Sequence, residues 1–557
     1  MSLELLRSID LEKVVTLEQS KELNVVLMNM VEMLFLENEK QTLAIQELRD
    51  EINRLKGEHG KPTFKPNKES TRRGKDKKPR NKNNKKGGKK AKISIDKQII
   101  CKVDKSLLPP DAQFKGYDEH LQQDIEIQRV NTMYKIEVYY SKTKKKCYRA
   151  KIPQSGIGMY GSGVKTWLNL LNRCCDTTQG RLKVLFESLG ISISSGSINN
   201  YLLEPADWVL AEQKEILKAG IRSGSYCQID GTKSVERGMS KVTQIICGAF
   251  FATFYTKSNK KRLSVIEALM GMVEGYSELK YGYNKHTQKV LEVLRVSAID
   301  RQTLEKVFGN KEEQGIFQWI GNKEAFEQRI KVKAPHILTK KNMYVRVLES
   351  FALGYYYSQD EFPVVDFLLS DDAPEYRKLS LVLQGLCWIH DARYYKKLTP
   401  KLDCHRAMLS KVMDDYWDFY DSLLEYKKAT KKEQEFQKEA IQQEFDRIFF
   451  QKTKYFQLNA CLERTLNNKD KLLAVLENPA LPLHNNSAEL EARRIVRKRD
   501  ISLHTWSLKG TIVRDAFLSI IQTCIKLDVS PFNYILDRIK KENDMPSLSS
   551  LIYQKAL

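Results

Sequence analysis

The chain has 557 residues, of which 41% are hydrophobic and 29% charged, an ordinary balance for a protein with a buried core. Lys and Arg number 93 against 70 Asp and Glu, and the resulting net charge of +23 favours a polyanionic partner such as nucleic acid. The ten cysteines form no repeated C-x-x-C, no signal peptide is recognisable, and the longest apolar stretch, residues 242–255, is too short for a bilayer, so we expect a multidomain cytoplasmic protein without a membrane partner.

Residues 17–56, within a predicted N-terminal region 1–58, have the heptad pattern of a long coiled-coil helix. Seven of the ten a and d residues are apolar. The a and d residues are Asn24, Leu27, Val31, Leu34, Asn38, Gln41, Ile45, Leu48, Ile52 and Leu55. The alternative is a helix packed on its own domain. Because no Gly or Pro interrupts the run, the pattern favours a coiled coil and a homodimer or higher oligomer.

A basic linker is predicted over residues 59–97. Its central segment, Lys61–Lys92, has fifteen Lys and Arg against two acidic residues and almost no apolar ones, so it cannot fold alone. A mobile polycation beside DNA gains free energy by releasing counterions, and we expect this segment to contact phosphates.

Two small domains are predicted next. Residues 98–155 alternate like short strands and predict a small β domain with a hairpin. Residues 156–221 are predicted to be helical, with two short helices separated at Gly190 and the second capped by Ser194 or Ser195. That spacing is typical of a helix-turn-helix DNA-binding domain, although helical hairpins look the same.

The remainder predicts a mixed α/β region. Strands are expected at 226–230, 242–255, 364–372 and 383–390, with a short helix between the last two and therefore a parallel pair. Residues 256–360 and 392–480 are mostly helical in pattern, as is the end of the chain.

Three carboxylates occur where these elements begin or end: Asp230, Asp371 and Glu489. Carboxylates at the ends of parallel strands meet at one edge of the sheet, and their oxygens suit Mg²⁺. Two such ions would stabilise the attacking and leaving oxygens of a phosphoryl transfer. Each residue also has a structural alternative: Asp230 in an Asp-Gly turn, Asp371 in a helix cap, and Glu489 in a capping box with Asn486.

The helix after Glu489 has two faces. Arg493 and Arg497 lie one and two turns beyond the carboxylate on the same face, which suits a metal ligand beside a DNA backbone. The opposite stripe is apolar and consists of Ala488, Ala492, Ile495 and Val496.

These motifs together resemble the transposases of the bacterial insertion-sequence-66 class, which are DDE transposases with a ribonuclease-H-like catalytic fold. The segment LLSDDAPEYRKL is followed by C-W-x-H-x-x-R, here Cys387, Trp388, His390 and Arg393. About ninety residues later comes a motif like P-x-D-N-N-x-x-E, here Pro482, His484, Asn485, Asn486 and Glu489. The D-x-T motif corresponds to Asp230, Gly231 and Thr232. The resemblance extends over nearly the whole chain.

The resemblance implies a multidomain α+β fold: coiled coil, linker, small β domain, helical DNA-binding region, and a ribonuclease-H-like core with an all-helical insertion and C-terminal helices. The corresponding boundaries are 1–58, 59–97, 98–155, 156–221, 222–391, 392–480 and 481–557.

The implied function is a DNA transposase that cleaves element ends and transfers the freed 3′-hydroxyls into target DNA. Asp230, Asp371 and Glu489 would be its catalytic residues and ligands of two Mg²⁺ or Mn²⁺ ions. His390, Arg393 and the residues Asn485, Asn486, Arg493 and Arg497 would support the site or contact DNA. Implied partners are terminal inverted repeats, target DNA and small helper proteins of the same element, with the protein on the bacterial nucleoid. The alternatives are a ribonuclease-H-like nuclease that only cuts and a domesticated DNA-binding protein without catalysis.

Three departures from the family pattern carry expectations. The C-x-x-C zinc finger of the small β domain is reduced to Cys101 and Cys147, so no zinc is expected there. His484 replaces an Asp, which weakens any metal role at that position. The long interval from Asp230 to Asp371 implies an extra subdomain at about 256–360.

Asp371 and Asp372 compete for the role of middle carboxylate. Adjacent side chains on a strand point to opposite faces, so only one can join Asp230, and the resemblance favours Asp371. Asp372 is then expected to accept hydrogen bonds from backbone N–H groups of the following helix. His390, expected at the end of a buried strand, is interpreted as a supporting residue or phosphate contact and not as a general base.

Overall fold

The computed structural model of the chain describes residues 16–55, 95–104, 115–118, 120–125, 127–151, 158–309, 317–379 and 383–557. The basic segment Lys61–Lys92 lies outside the described residues. The chain divides into two units, residues 1–33 with 129–557 and residues 34–128. Among the described residues, no helix combines the length and the apolar character that crossing a membrane requires.

The predicted N-terminal helix is present as α1, Leu17–Leu55. Its first half packs on the larger unit through a polar face. Asn29 donates to the Lys454 carbonyl at 2.9 Å and accepts from the Phe456 N–H at 3.0 Å, and the buried Glu32 carboxylate is paired with His405. The alternative of a helix packed on its own domain therefore holds for this half.

The heptad seam of α1 lies on a different face from these contacts. Leu27, Val31, Leu34, Ile45 and Leu48 are all exposed. The side chains that could join a second helix are therefore still accessible.

A hairpin and a helical bundle follow. The predicted hairpin is β1, Val138–Ser141, paired with β2, Lys146–Arg149, and its residues are almost all exposed. The rest of the described residues in 98–155 have no regular structure, so the expected small β domain is reduced to this hairpin among them. The helices are α2, Ser162–Arg173; α3, Gln179–Ser188; α4, Ser195–Leu203; and α5, Ala206–Ser223.

Helices α3 and α4 have the predicted helix-turn-helix spacing. Gly190 between them has φ +76°, a left-handed conformation that glycine adopts without strain. The Ser194 hydroxyl caps α4 by accepting from the Ser197 N–H at 3.0 Å. A small apolar core joins α2, α3 and α4 and consists of Leu168, Leu182, Phe186, Ile193, Ile198 and Leu202.

A five-stranded mixed sheet forms the centre of the larger unit. Its strands are β3, Cys227–Glu236; β4, Met239–Cys247; β5, Ala252–Lys257; β8, Phe367–Ser370; and β9, Leu383–Leu386. The spatial order is β5-β4-β3-β8-β9, with β3, β4 and β5 antiparallel and β3, β8 and β9 parallel. The predicted parallel pair β8–β9 is confirmed, but residues 374–378 form turns instead of the expected short helix, and β9 ends at Leu386 instead of residue 390.

The segment between β5 and β8 is a helical layer with a two-stranded hairpin. Its elements are α6, Arg262–Leu269; β6, Tyr281–Tyr283; α7, Lys285–Val293; α8, Ala298–Phe308; β7, Trp319–Gly321; α9, Lys323–Lys333; α10, His336–Thr339; and α11, Lys341–Ser358. Its apolar residues belong to the same hydrophobic core as one face of the sheet, which includes Ile229, Ile246 and Tyr255.

A second helical layer follows β9 and has its own core. It comprises α12, Trp388–Lys396; α13, Asp403–Lys428; α14, Lys431–Phe449; α15, Phe456–Asn467; and α16, Lys469–Leu472. The Trp388 side chain is fully buried at the centre of this core, and its Nε1–H donates to the Leu472 carbonyl at 2.9 Å.

The final helices return to the sheet. They are α17, Asn486–Ser502; α18, Leu508–Lys526; α19, Pro531–Lys540; and α20, Leu548–Ala556. Ala488, Ala492 and Ile495 of α17 pack with Ile245 and Phe254, on the sheet face opposite the main core. Three of the four residues of the predicted apolar stripe are therefore buried, whereas Val496 is only half-buried.

Candidate active site

Strand register brings Asp230 and Asp371 side by side. Parallel pairing joins Cys227 to Leu368 and Gln228 to Leu369, and the same register continued by two residues sets Asp230 beside Asp371. Asp230 does not end its strand, as the sequence suggested, because β3 runs on to Glu236 in its pairing with β4. Nor does Asp230 belong to an Asp-Gly turn; it lies within the strand.

The face of the sheet on which Asp230 lies follows from strand alternation. Asp230 is paired with Ile245, whose side chain packs against α17. Paired residues of neighbouring strands share a face, so Asp230 points toward the helix that carries Glu489.

Electrostatics place the three carboxylates in one neighbourhood. Burial, then the Asp371 charge and more weakly the Glu489 charge together raise the pKa of Asp230 to about 6, against the opposing effects of the Gly231 N–H and of Lys260. Lys260 does not neutralise the pair alone, because its Nζ lies 2.8 Å from Glu375 Oε1. Negative charge is therefore concentrated on this edge of the sheet.

Asp372 faces a different set of partners from Asp371. Its Oδ1 accepts from Arg377 Nε at 2.8 Å and its Oδ2 from Arg464 Nη2 at 2.7 Å. The expectation that Asp372 caps a following helix is wrong, since turns follow, and it is Asp371 Oδ1 that accepts a backbone N–H, from Ala373 at 3.1 Å.

Glu489 lies in the first turn of α17 and is free of any capping role. The N-cap of α17 is Asn485, whose side chain makes no capping hydrogen bond, so the capping-box alternative with Asn486 is wrong. Glu489 Oε2 lies 3.1 Å from Arg393 Nη2, and Oε1 lies 3.5 Å from His390 Nδ1.

Asn485 joins the start of α17 to the sheet. Its buried side chain donates to the Ile229 carbonyl at 2.8 Å, and its backbone N–H donates to Cys387 Sγ at 3.2 Å. This fixes Glu489 relative to Asp230. Asn485 is therefore a supporting residue that DNA cannot reach, whereas Asn486 is exposed.

His390 and Arg393 lie on α12 and not on a strand, because the chain turns from β9 into the helix at Cys387. The Arg393 guanidinium donates to His390 Nε2 at 2.6 Å. Burial, and then the Arg393 charge, lower the pKa of His390 against the opposing effects of Glu489 and Asp371. The neutral imidazole is favoured.

Arg464 is a site-supporting residue that the sequence did not indicate. It bridges α15 to two other segments, with Nη1 at 2.6 Å from Asp391 Oδ1 and Nη2 on Asp372, and its guanidinium lies 3.5 Å from the Tyr394 ring centroid. Asp391 and Arg464 are 73 residues apart, and no short motif connects them.

The basic side chains of α17 differ in their exposure to solvent. Arg493 and Arg497 are exposed on the face that Glu489 begins. Lys498 points inward, toward the Asn172 carbonyl and Asp176, and burial and then Arg173 lower its pKa to about 8. The exposed basic face is available to a polyanion.

The side chains that lie close enough together to share a metal ion are not the predicted ligand set. Among the described residues, two groups have ligand atoms that all lie within 4.8 Å of one another: Cys387 with His390 and Glu489, and Asp537 with Glu542 and Asp544. Asp230, Asp371 and Glu489 together are not such a group. No choice of one oxygen from each of the three brings all of them within 4.8 Å of one another.

The geometry defines an α+β protein whose central mixed sheet carries clustered carboxylates beside exposed arginines. Residues 358–512 match the family model described as Transposase IS66 family. Residues 358–512 thus correspond to an IS66-family transposase domain, and the match supports the resemblance of the two C-terminal motifs but does not extend to Asp230. The matched segment includes Asp371, His390, Arg393 and Glu489.

The chain is also similar to a curated protein. The chain is 28% identical over 348 residues to the "Uncharacterized protein y4jO" of Sinorhizobium fredii (strain NBRC 101917 / NGR234), an alignment that covers 61% of this chain and 100% of the relative. No solved structure matches the chain.

Proposed function

We propose that the protein is a divalent-metal-dependent DNA transposase with Asp230, Asp371 and Glu489 as its catalytic carboxylates. The observation that carries the proposal is the register of β3 and β8, which sets Asp230 beside Asp371 on the face covered by the Glu489 helix. The strand order β5-β4-β3-β8-β9 also supports a ribonuclease-H-like core. In this order β3, β4 and β5 are antiparallel neighbours, and β8 and β9 run parallel to β3.

The donor set fits a hard divalent cation such as Mg²⁺ or Mn²⁺. All three side chains are carboxylates, the ligands these ions prefer, and the raised pKa of Asp230 reflects negative charge that a cation would offset. When bound, the metal would stabilise charge on the attacking and leaving oxygens of a phosphodiester.

The other residues of the site would position DNA. Arg393, Arg493 and Arg497 are suited to phosphate oxygens, since guanidinium groups bind them bidentately. Arg393 would exchange Glu489 for a phosphate when DNA binds. The lowered pKa of His390 favours its neutral form, and its Nε2 accepts a hydrogen bond from Arg393. His390 therefore orients that guanidinium and does not act as a general base.

A homodimer through α1 is part of the proposal. The seam residues of α1 are exposed along the helix while a different face of its first half packs on the larger unit, so one helix can serve both contacts. Two subunits would hold the two ends of one element. The basic segment Lys61–Lys92 is proposed to contact phosphates, and small helper proteins are further candidate partners.

The test is an assay of the purified protein on duplexes taken from the DNA that flanks its gene. We expect cleavage with Mg²⁺ or Mn²⁺ but not with EDTA, followed by joining of the 3′-ends to a second duplex. Asp230→Asn, Asp371→Asn and Glu489→Gln should each remove both steps and retain DNA binding, because most affinity comes from phosphate contacts elsewhere.

The alternatives give different results in the same assay. Cleavage without joining would identify a nuclease, and binding without any metal-dependent cleavage would identify a DNA-binding protein without catalysis.

A further inference from the structure

An exposed tryptophan lies at the far end of the Glu489 helix. Of the six tryptophans in the chain, Trp506 is the most exposed, at 77%, and it follows the end of α17 in the loop to α18. Leu503 in the same loop is also exposed, and the His504 ring lies 4.4 Å from the Trp506 ring. Large apolar side chains are seldom displayed together in this way without a partner.

The backbone that carries Trp506 is fixed although its side chain is not covered. Arg237 N–H donates to the Thr505 carbonyl at 2.9 Å, and Thr505 N–H donates to the Val235 carbonyl at 3.2 Å, which ties the loop to the end of β3. The Arg237 side chain also donates, through Nε at 2.9 Å, to the Trp506 carbonyl. Because this backbone is already ordered, little conformational entropy is lost from it when the Trp506 ring binds a partner.

The loop is also conformationally strained. Leu503 has φ +61° and ψ −57°, a conformation that a branched side chain rarely adopts. Such strain persists where the surrounding structure imposes it, and it is concentrated at binding sites. Here the positive-φ conformation of Leu503 turns the chain at the end of α17, and the Leu503 and Trp506 side chains face solvent.

The charges around the ring favour a polyanion. Arg237, Arg499 and Lys509 surround the loop, and Arg499 donates to the Lys233 carbonyl at 2.8 Å. Of the nearby acids, Asp500 lies 3.8 Å from Arg499, and Glu236 is buried and bonded to Thr511. The exposed cations outnumber the exposed acid.

We propose that Trp506 is a stacking site for an unpaired nucleobase of the DNA on which the protein acts, an inference that rests on the proposed function. Aromatic rings stack on bases of any sequence, and adjacent cations hold the backbone beside them. From Glu489 to Leu503 the helix rises about 21 Å at 1.5 Å per residue. That length corresponds to about six base pairs of B-form DNA. The exposed Arg493 and Arg497 lie between the two ends.

The experiment compares binding of an oligothymidylate and of a fully paired duplex of equal length, at one salt concentration, for the full-length protein and its variants. Trp506→Ala should weaken binding of the oligothymidylate about tenfold and leave duplex binding unchanged. Trp506→Phe should retain most of the affinity, because a ring remains. The matched control is Phe436→Ala on α14, where an aromatic side chain is 89% exposed and no effect is expected.

A second measurement uses the wild type alone. Quenching of its tryptophan fluorescence by iodide should decrease when the oligothymidylate binds, because the base covers the most exposed of the six indole rings.

Three outcomes would overturn the proposal: equal affinities for wild type and Trp506→Ala, equal losses on both DNAs, or iodide quenching unaffected by the oligothymidylate. These differ from failure of the proposed function, which the absence of metal-dependent cleavage or of joining in the assay above would show.

Discussion

At the scale of single residues, the neighbouring aspartates Asp371 and Asp372 have different electrostatic partners. Asp371 faces another carboxylate, whereas Asp372 is held by two guanidinium groups. Repulsion lowers stability and paired charge raises it, so substitutions at the two positions should have opposite effects on stability and on activity.

Asp230→Asn should stabilise the metal-free protein while removing cleavage. Burial, and then Asp371, raise the pKa of Asp230 from 3.8 to about 6, so the folded wild type binds its proton more tightly than the unfolded chain does. Wild-type stability therefore falls as the pH rises from 3.8 to about 6 and stays lower above it. The variant should escape this loss and gain roughly 2–3 kcal/mol above pH 6.

Thermal melting in EDTA as a function of pH measures the effect. Asp418→Asn, at an exposed position on α13, is the control. Adding Mg²⁺ should raise the melting temperature of the wild type and leave that of Asp230→Asn unchanged. Equal pH profiles for wild type and Asp230→Asn would contradict the electrostatic account.

Asp372→Asn should lose stability and keep measurable cleavage. The substitution leaves the Arg377 and Arg464 guanidinium groups without their carboxylate, and we expect a loss of about 1–3 kcal/mol. Asp371→Asn should instead melt at or above the wild-type temperature and be inactive. Urea denaturation and the cleavage assay on both variants test the pair, and an inactive Asp372→Asn beside an active Asp371→Asn would reverse the assignment.

At the scale of secondary-structure elements, two polar contacts attach helices to the sheet and to each other. Arg464 joins α15 to α12 and to the segment after β8, and Glu32 joins α1 to the start of α13. Each is largely removed from solvent, so each partner depends on the other.

Arg464→Leu should destabilise the protein strongly. Burial already raises the pKa of Asp391, against the effects of Thr465 and then Arg464, and losing the guanidinium leaves that buried carboxylate unpaired. The expected loss is about 3–5 kcal/mol. Arg447→Leu, which breaks only an exposed pair with Glu444, should change stability by less than about 0.5 kcal/mol. Similar melting temperatures for the two variants would show that Arg464 is not a structural link.

Glu32→Gln should loosen the first half of α1. Burial opposes ionisation of Glu32, but the hydrogen bonds from His405 and from the Lys401 and Leu402 N–H groups together lower its pKa. A lowered carboxyl pKa stabilises the folded state above the unfolded value, and this is lost as the pH falls through the folded value. The difference in melting temperature between wild type and Glu32→Gln should therefore shrink below about pH 4.5.

Hydrogen exchange at neutral pH provides an independent reading. Amides of residues 17–33 should exchange faster in Glu32→Gln, while Glu18→Gln, at an exposed position on the same helix, should behave as wild type. Unchanged protection in both would mean that α1 is held by its other contacts.

At the scale of the whole molecule, the proposed assembly of two subunits would depend on one face of α1. Leu48 is a d residue of the seam and is 63% exposed, whereas Leu43 is an outward f residue and is 66% exposed. Leu48→Glu should convert a dimer to a monomer by placing a charge in the seam, and Leu43→Glu should not. Mass by light scattering distinguishes them, and an unchanged mass for Leu48→Glu would locate the dimer contact elsewhere.

The sequence predicted the parts of the site that depend on local rules. Strand alternation indicated that only one of Asp371 and Asp372 could join Asp230, and the family resemblance favoured Asp371. Heptads predicted α1, and serine capping with Gly190 predicted the helix pair α3–α4. The motif around Glu489 predicted its helix but suggested a capping box with Asn486 that does not form, because the helix begins one residue earlier, with Asn485 as its N-cap, and the Asn485 side chain bonds to β3.

Long-range contacts were beyond prediction from the sequence. Pairing with β4 extends β3 past Asp230, and nothing in a ten-residue window indicates how far a partner strand reaches. Asn29 and Glu32 read as solvated positions of a coiled coil, yet they contact residues more than 350 positions away. Arg464 likewise acts across 73 residues.

The wide spacing of the site along the chain has a consequence for synthesis. Asn485, which sets the position of the last carboxylate, is 256 residues from the strand carbonyl that it binds. At 5–20 residues per second, a ribosome needs roughly 10–50 s to cover that distance. During this time the growing polypeptide already contains the helix pair α3–α4 but has only part of the proposed acidic centre. Under the proposed function, a chain still on the ribosome, or released early from it, would bind DNA without cutting it.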